Sequence, residues 1–176
     1  MKKVLLSLLV VAGLGFATNA QTVAIKANPL ALLGGTDLLS GEFKVGGNSS
    51  VGVGLGLAGF KIAGSKYSSF GGEAQYRYYF RESLHGWYLG AKAGYLAGKV
   101  KIDGFGDGET YKTNYGSFNV GAKAGYQWAF DSGFVIDLNL GAAYSSFKYD
   151  DNSGEFATLK GSGILPNLGF GLGFAF

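Results

Sequence analysis

The chain has 176 residues, 32 of them Gly, with 15% aromatic and 15% charged residues, one His, no Cys and a formal net charge of +3. The missing Cys excludes a disulfide framework, a thiolate zinc site and a cysteine nucleophile. The apolar content excludes intrinsic disorder, and the glycines lack the strict triplet of collagen.

Met1-Lys2-Lys3, the apolar run Val4–Phe16 and Ala17-Thr18-Asn19-Ala20 have the layout of a secretory signal peptide: basic head, apolar stretch, small residues before the cut. Cleavage is expected after Ala20, which leaves residues 21–176 as one domain. The apolar run is too short to cross a bilayer as a helix. Without Lys2 and Lys3 the remaining thirteen basic residues barely exceed the twelve acidic ones, so nucleic acid is not an expected partner.

From residue 21 onward no stretch keeps a helical apolar period; the pattern runs in twos, as in strands with one apolar face. Eight segments follow this rule: about 22–33, 38–45, 50–60, 70–80, 86–98, 115–130, 134–146 and 164–176. The more apolar parity reads Phe70, Gly72, Ala74, Tyr76, Tyr78, Phe80 in the fourth and Phe134, Ile136, Leu138, Leu140, Ala142, Tyr144 in the seventh. Across all eight this face carries no charge, apart from Lys99 where the fifth segment runs into its loop. The opposite face mixes Gly with Lys26, Glu42, Lys44, Glu73, Arg77, Lys92, Lys123 and Asp137.

Short connections (46–49, 81–85, 131–133) alternate with longer polar ones (61–69, 99–114, 147–163), and 34–37 is a short exception. Tyr78, Phe80, Trp87, Tyr126, Trp128, Phe130 and Phe134 gather at the short-turn end, as a membrane-interface girdle does. The expected fold is all-β: an eight-stranded antiparallel transmembrane β-barrel of the bacterial outer membrane, reached after Sec-type export. Its charged face points inward, into an interior just wide enough for side chains to fill. Glu73 and Asp137 are expected to neutralise part of the interior lysine and arginine charge. Five basic against three acidic residues leaves a surplus that water or a loop acid must share.

Few residues invite chemistry. Gly54-Leu55-Gly56-Leu57-Ala58-Gly59 fits a dinucleotide-binding pattern but continues a strand and precedes no helix. His85, beside Ser83 and Glu82, lies in a short turn, on the side away from an outer-leaflet lipid substrate. The acidic runs Asp103…Asp107-Gly108-Glu109 and Asp150–Glu155 do not follow the spacing of a calcium loop. The expectation is therefore no enzymatic activity, no cofactor and no metal site.

Gly171, Phe174 and Phe176 lie in a last strand with alternating aromatics that resembles the C-terminal signal read by the outer-membrane insertion machinery, with Gly169 in place of its usual polar residue. Further stretches resemble a family of small outer-membrane β-barrels of Bacteroidota-type bacteria, catalogued only as a domain of unknown function. They are Ile25-Lys26-Ala27-Asn28-Pro29-Leu30, Gly41-Glu42-Phe43, Gly72-Glu73-Ala74-Gln75-Tyr76-Arg77-Tyr78-Tyr79-Phe80 and His85-Gly86-Trp87-Tyr88-Leu89-Gly90. The strand count is similar to that of the eight-stranded OmpA/OmpX class. The resemblance implies fold and location and carries no catalytic residue onto this chain. Expected partners are outer-membrane lipids, lipopolysaccharide, the insertion machinery and an unknown extracellular ligand. The expected role is structural or surface-interactive. A narrow pore for ions or small solutes and a lipid-modifying enzyme are the alternatives, and a soluble ligand-carrying barrel is a weaker one.

Overall fold

A computed structural model describes residues 21–33, 36–62, 65–103, 110–151 and 159–176. The proposed signal segment 1–20 and the acidic loop residues Asp107–Glu109 and Asn152–Glu155 lie outside them. Eight strands follow in chain order: β1 Val23–Ala27, β2 Leu39–Lys44, β3 Ser49–Ile62, β4 Ser65–Tyr79, β5 Gly86–Asp103, β6 Thr110–Ala129, β7 Phe134–Asp151 and β8 Leu159–Ala175. Each pairs antiparallel with the next, and β1 pairs with β8, so one sheet closes into a ring. Closure leaves no open edge at the short-turn end. There Phe176 accepts from Thr22 N (2.6 Å) and Val23 N (3.2 Å) and donates to Val23 O (2.8 Å).

Alternation in sequence becomes alternation in burial, because successive strand residues point to opposite faces. Along β4, Gly71, Glu73, Gln75, Arg77 and Tyr79 are buried, while Phe70, Ala74, Tyr76 and Tyr78 are exposed. The large apolar residues stand on the outside: Ile164 is 75% exposed, Trp87 64%, Leu140 63% and Leu168 62%. The polar and charged parity is the inside. Glycines on that parity leave room for it: an added Cβ at Gly125 would lie 2.7 Å from the Tyr88 ring.

Two sequence expectations change. The first strand ends at Ala27, and Pro29–Leu33 is a short 3-10 helix. Pro29 has no N–H to give a ladder. Asn28 turns the chain, its Oδ1 accepting from Leu30 N (3.2 Å) and its carbonyl from Ala31 N (3.0 Å). The helix contacts both β3 and β8, where those strands run on past the ends of β2 and β1.

The second change is at the other strand ends. β5, β6 and β7 reach Asp103, Thr110 and Asp151, and β3 and β4 continue to Ile62 and Ser65. The connections expected over 61–69, 99–114 and 147–163 are therefore largely paired backbone. Polar residues such as Thr113, Asn114 and Ser146 stand on both parities there, so the apolar alternation that marks a strand in sequence fades before the strand ends.

The short-turn end is stoppered. Leu84, between β4 and β5, takes a left-handed backbone (φ 72°) and sends its side chain inward against Ala24, Val135 and Ala175. Its carbonyl accepts from Gln127 Nε2 (2.8 Å). Apolar packing offsets the roughly 1–2 kcal/mol that this conformation costs a residue with a Cβ.

The β1–β8 seam gives a direct test. A Cβ on Gly173 would lie 2.0 Å from the Ile25 carbonyl oxygen, whereas one on Gly161 meets nothing within 4 Å. Gly173→Ala should lower stability by about 1–3 kcal/mol or more, and Gly161→Ala should leave it unchanged. Urea unfolding followed by tryptophan fluorescence measures both; equal midpoints would contradict the seam geometry.

Candidate functional site

Four strands place four charges at one level of the interior. β1 supplies Lys26, β2 Glu42, β4 Arg77 and β7 Asp137, each 3% exposed or less. Lys26 Nζ bonds Glu42 Oε2, Gln127 Oε1 (2.6 Å) and Asp137 Oδ2 (2.9 Å). Arg77 Nη1 lies 2.6 Å from Asp137 Oδ2 and 3.2 Å from Glu42 Oε2, and its Nε donates to Gln75 Oε1 (3.0 Å). Two cations thus share two carboxylates, and the cluster is neutral.

Neutral donors complete the carboxylate shells. Glu42 Oε1 accepts from Tyr79 OH (2.6 Å) and from Ser50 Oγ, while Asp137 Oδ1 accepts from Tyr88 OH (2.7 Å) and Asn139 Nδ2 (3.3 Å). The Arg77 guanidinium also stands 4.3 Å from the centre of the Tyr88 ring. Such saturation is what makes a buried ion pair tolerable, since a charge removed from water without partners costs several kcal/mol.

A second group lies farther from the short-turn end. Lys92 Nζ lies 3.3 Å from Glu73 Oε2, which also accepts from Thr36 Oγ1 (2.5 Å). Glu73 Oε1 and Asn119 Oδ1 are buried without a hydrogen-bond partner. Lys123 is 4% exposed and stands in no ion pair among the described residues. Lys92 and Lys123 sit two residues out of register on β5 and β6, which pair Lys92 with Gly121 and Gly90 with Lys123. The stretch between β1 and β2 adds an acid here: a Cβ on Gly54 would lie 3.0 Å from Asp37 Cβ and 3.2 Å from Glu73 Cγ.

The remaining sequence candidates scatter. Lys44, at the short-turn end, is 3.7 Å from Glu82. Gly171 faces inward beside Asp137, Phe174 faces outward against the Phe134 ring (5.7 Å), and Phe176 closes the seam. His85, Ser83 and Glu82 do not form a triad. His85 Nδ1 accepts from Ala129 N (3.3 Å), Ser83 Oγ donates to Ser49 O (2.9 Å), and Glu82 turns to Lys44.

Sequence reasoning missed Tyr79, Tyr88, Gln75, Gln127, Ser50, Thr36 and Asp37. The first four carried a usable signal, since they share the parity of the charged residues on their strands, and Ser50 shares the parity of the inward Gly52, Gly54 and Gly56 on β3. Thr36 and Asp37 lie off any strand, and only the fold brings them inward.

The two groups should respond differently to loss of an acid. Asp137→Ala leaves Lys26 and Arg77 to share Glu42 alone, takes the acceptor from Tyr88 OH, and should cost about 3–5 kcal/mol. Glu73→Ala removes one long ion pair and one hydroxyl bond and should cost clearly less. Equal losses in denaturant unfolding would mean that the neutral cluster does not hold the interior together.

No curated protein and no solved structure matches this chain. One family model does, over residues 5–161, a span that contains Lys26, Glu42, Arg77 and Asp137. The chain belongs to the family described as "Protein of unknown function (DUF3575)".

Proposed function

We propose that this chain is a non-enzymatic β-barrel of a bacterial outer membrane, with a filled lumen and a structural or surface-contact role through the loops joining β5 to β6 and β7 to β8. One observation carries the reading: the outward face. Starting at the aromatics of the short-turn end, β5 presents Trp87, Leu89, Ala91, Ala93, Tyr95 and Ala97, and β7 presents Phe134, Ile136, Leu138, Leu140, Ala142 and Tyr144. No charge interrupts either run. A ring dissolved in water would point its charges outward, and a continuous apolar belt there would drive aggregation.

Three features support the same reading. A closed antiparallel ring satisfies its backbone groups from strand to strand, as hydrocarbon surroundings demand. Where β1 and β2 are short, the 3-10 helix presents Leu30 and Leu32, 38% and 52% exposed, and continues the apolar belt. The short-turn end carries a packed girdle: Trp87 edge-on to Tyr126 at 5.2 Å, Tyr126 to Trp128 at 4.5 Å, Phe130 to Phe134 at 6.1 Å. In this reading export uses the segment before residue 21, and the insertion machinery reads the strand that ends at Phe174 and Phe176.

The interior argues for a plug over a pore. Leu84 stoppers one end, and the neutral cluster of Lys26, Glu42, Arg77 and Asp137 crosses the lumen above it. Purified protein should insert into phosphatidylcholine vesicles, migrate differently on gels before and after boiling, and give no steady conductance in planar bilayers. Protein that stays monodisperse without detergent would overturn the membrane reading, and steady conductance would overturn the plug.

Orientation is tested on whole cells. Arg81 lies in the exposed turn between β4 and β5, and Lys160 at the opposite end on β8. An impermeant thiol reagent should label Lys160→Cys and spare Arg81→Cys. The reverse pattern would invert the barrel.

A further inference from the structure

The outward face ends in lysines. Lys66 on β4, Lys99 and Lys101 on β5, Lys148 on β7 and Lys160 on β8 are all exposed and lie toward the loop end of their strands. Lys66 pairs with Lys101, and Lys148 with Lys160; Lys61 on β3 and Lys112 on β6 occupy the adjoining register positions beside Lys66 and Lys101. Like charges directly across a ladder are unfavourable. Among the described residues Lys66, Lys99, Lys101 and Lys160 stand in no ion pair.

Their level is common to several strands. Twelve residues separate Trp87 from Lys99 and Tyr78 from Lys66, and fourteen separate Phe174 from Lys160. With a rise of about 3.3 Å per residue and a strand tilt near 40°, twelve residues climb roughly 30 Å. The apolar band of such barrels is about 25 Å tall. With the aromatic girdle at one interface, the lysines stand at the headgroups of the other. Along β5 and β7 the acids Asp103 and Asp150 come only after these lysines.

The outward surface is also shaped. A cleft of about 870 Å³ opens across β4 to β7, with Phe70, Tyr95 and Phe118 as its floor and Lys99, Asn114 and Lys148 at its rim. Gly116 makes room for the Tyr95 ring that lines it, since a Cβ there would lie 2.7 Å from Tyr95 OH. An apolar floor below an ammonium rim suits one class of ligand: a lipid with acyl chains below and phosphate above.

We infer that these lysines form a collar that binds the phosphate groups of outer-leaflet lipids, with the β4–β7 cleft seating their acyl chains. The inference rests on the membrane reading above and adds to it a binding surface. Lysine ammonium groups take phosphate as compact point charges. Each such lysine near an anionic surface contributes enough for roughly a fivefold gain in binding, so removing three should lower affinity about one-hundred-fold.

The test uses the full chain in phosphatidylcholine nanodiscs, titrated with bisphosphorylated lipid A and, separately, with its dephosphorylated form. Insertion is scored first, by heat-modifiable migration in discs of phosphatidylcholine alone. Wild type should bind the phosphorylated lipid far more tightly, and more weakly as salt rises. The triple variant Lys66→Gln/Lys99→Gln/Lys101→Gln should insert normally and lose about one-hundred-fold in affinity, while the corresponding Arg variant should keep it. Equal binding of both lipids by wild type, a comparison that needs no variant, would overturn the collar. Undiminished affinity in the Gln variant would overturn it too. Failure of wild type to insert would overturn the membrane reading, and the collar with it.

Discussion

The interior salt-bridge cluster is the constraint on which the rest of this structure depends. Once eight strands close into a ring, whatever sits on the inward parity must fit and must be neutral. Lys26, Arg77, Glu42 and Asp137 meet both demands together, each cation shared between both carboxylates. The glycines around them follow from the same constraint. Gly125 leaves space for Tyr88, whose hydroxyl completes Asp137, and Gly52 lies against Gln75, which holds Arg77 Nε.

Much of this was legible in the sequence because a strand has a period of two. Parity alone separated Glu73, Arg77, Lys92, Lys123 and Asp137 from Phe70, Leu140 and Trp128, and burial follows the same division. Parity does not encode which charges meet. Lys26 and Asp137 lie 111 residues apart, and their contact depends on β1 pairing with β8. Nor does parity reach segments that leave the wall. The chain leaves the ladder after Ala27 and enters the 3-10 helix at Pro29, so no strand parity assigns Thr36 and Asp37 to the interior. The strand ends near the loops were hidden for another reason: polar residues on both parities carry no alternation to read.

The family match adds membership without activity, and weight therefore falls on the two faces. On the inward face Lys26, Glu42, Arg77 and Asp137 pair with one another, Lys92 pairs with Glu73, and Leu84 packs across the short-turn end. His85 and Ser83, the residues most suggestive of catalysis, serve the turn that carries Leu84, His85 by accepting from the β6 backbone and Ser83 by donating to β3. The outer surface is graded from the aromatics of the short-turn end through an apolar belt to a rim of lysines.

Closure and charge pairing are consequently one event. β1, which carries Lys26, and β7, which carries Asp137, are the two neighbours of β8. Until β8 pairs with β1, Lys26 cannot reach its Asp137 and Gln127 partners, and Arg77 and Asp137 face an open groove. In hydrocarbon an open intermediate would expose both unpaired ladder edges and unpaired charges, each costing several kcal/mol. In water it would expose the apolar belt instead. The sheet satisfies both its ladder and its interior charges only as a finished ring, which is why the seam residues Gly173 and Phe176 matter as much as the cluster itself. Gly173 admits the Ile25 carbonyl at closest approach, and Phe176 ties the last backbone groups to Thr22 and Val23. Damage at the seam and damage at Asp137 should then weaken the same cooperative unit, and their combined effect should fall short of the sum of the two.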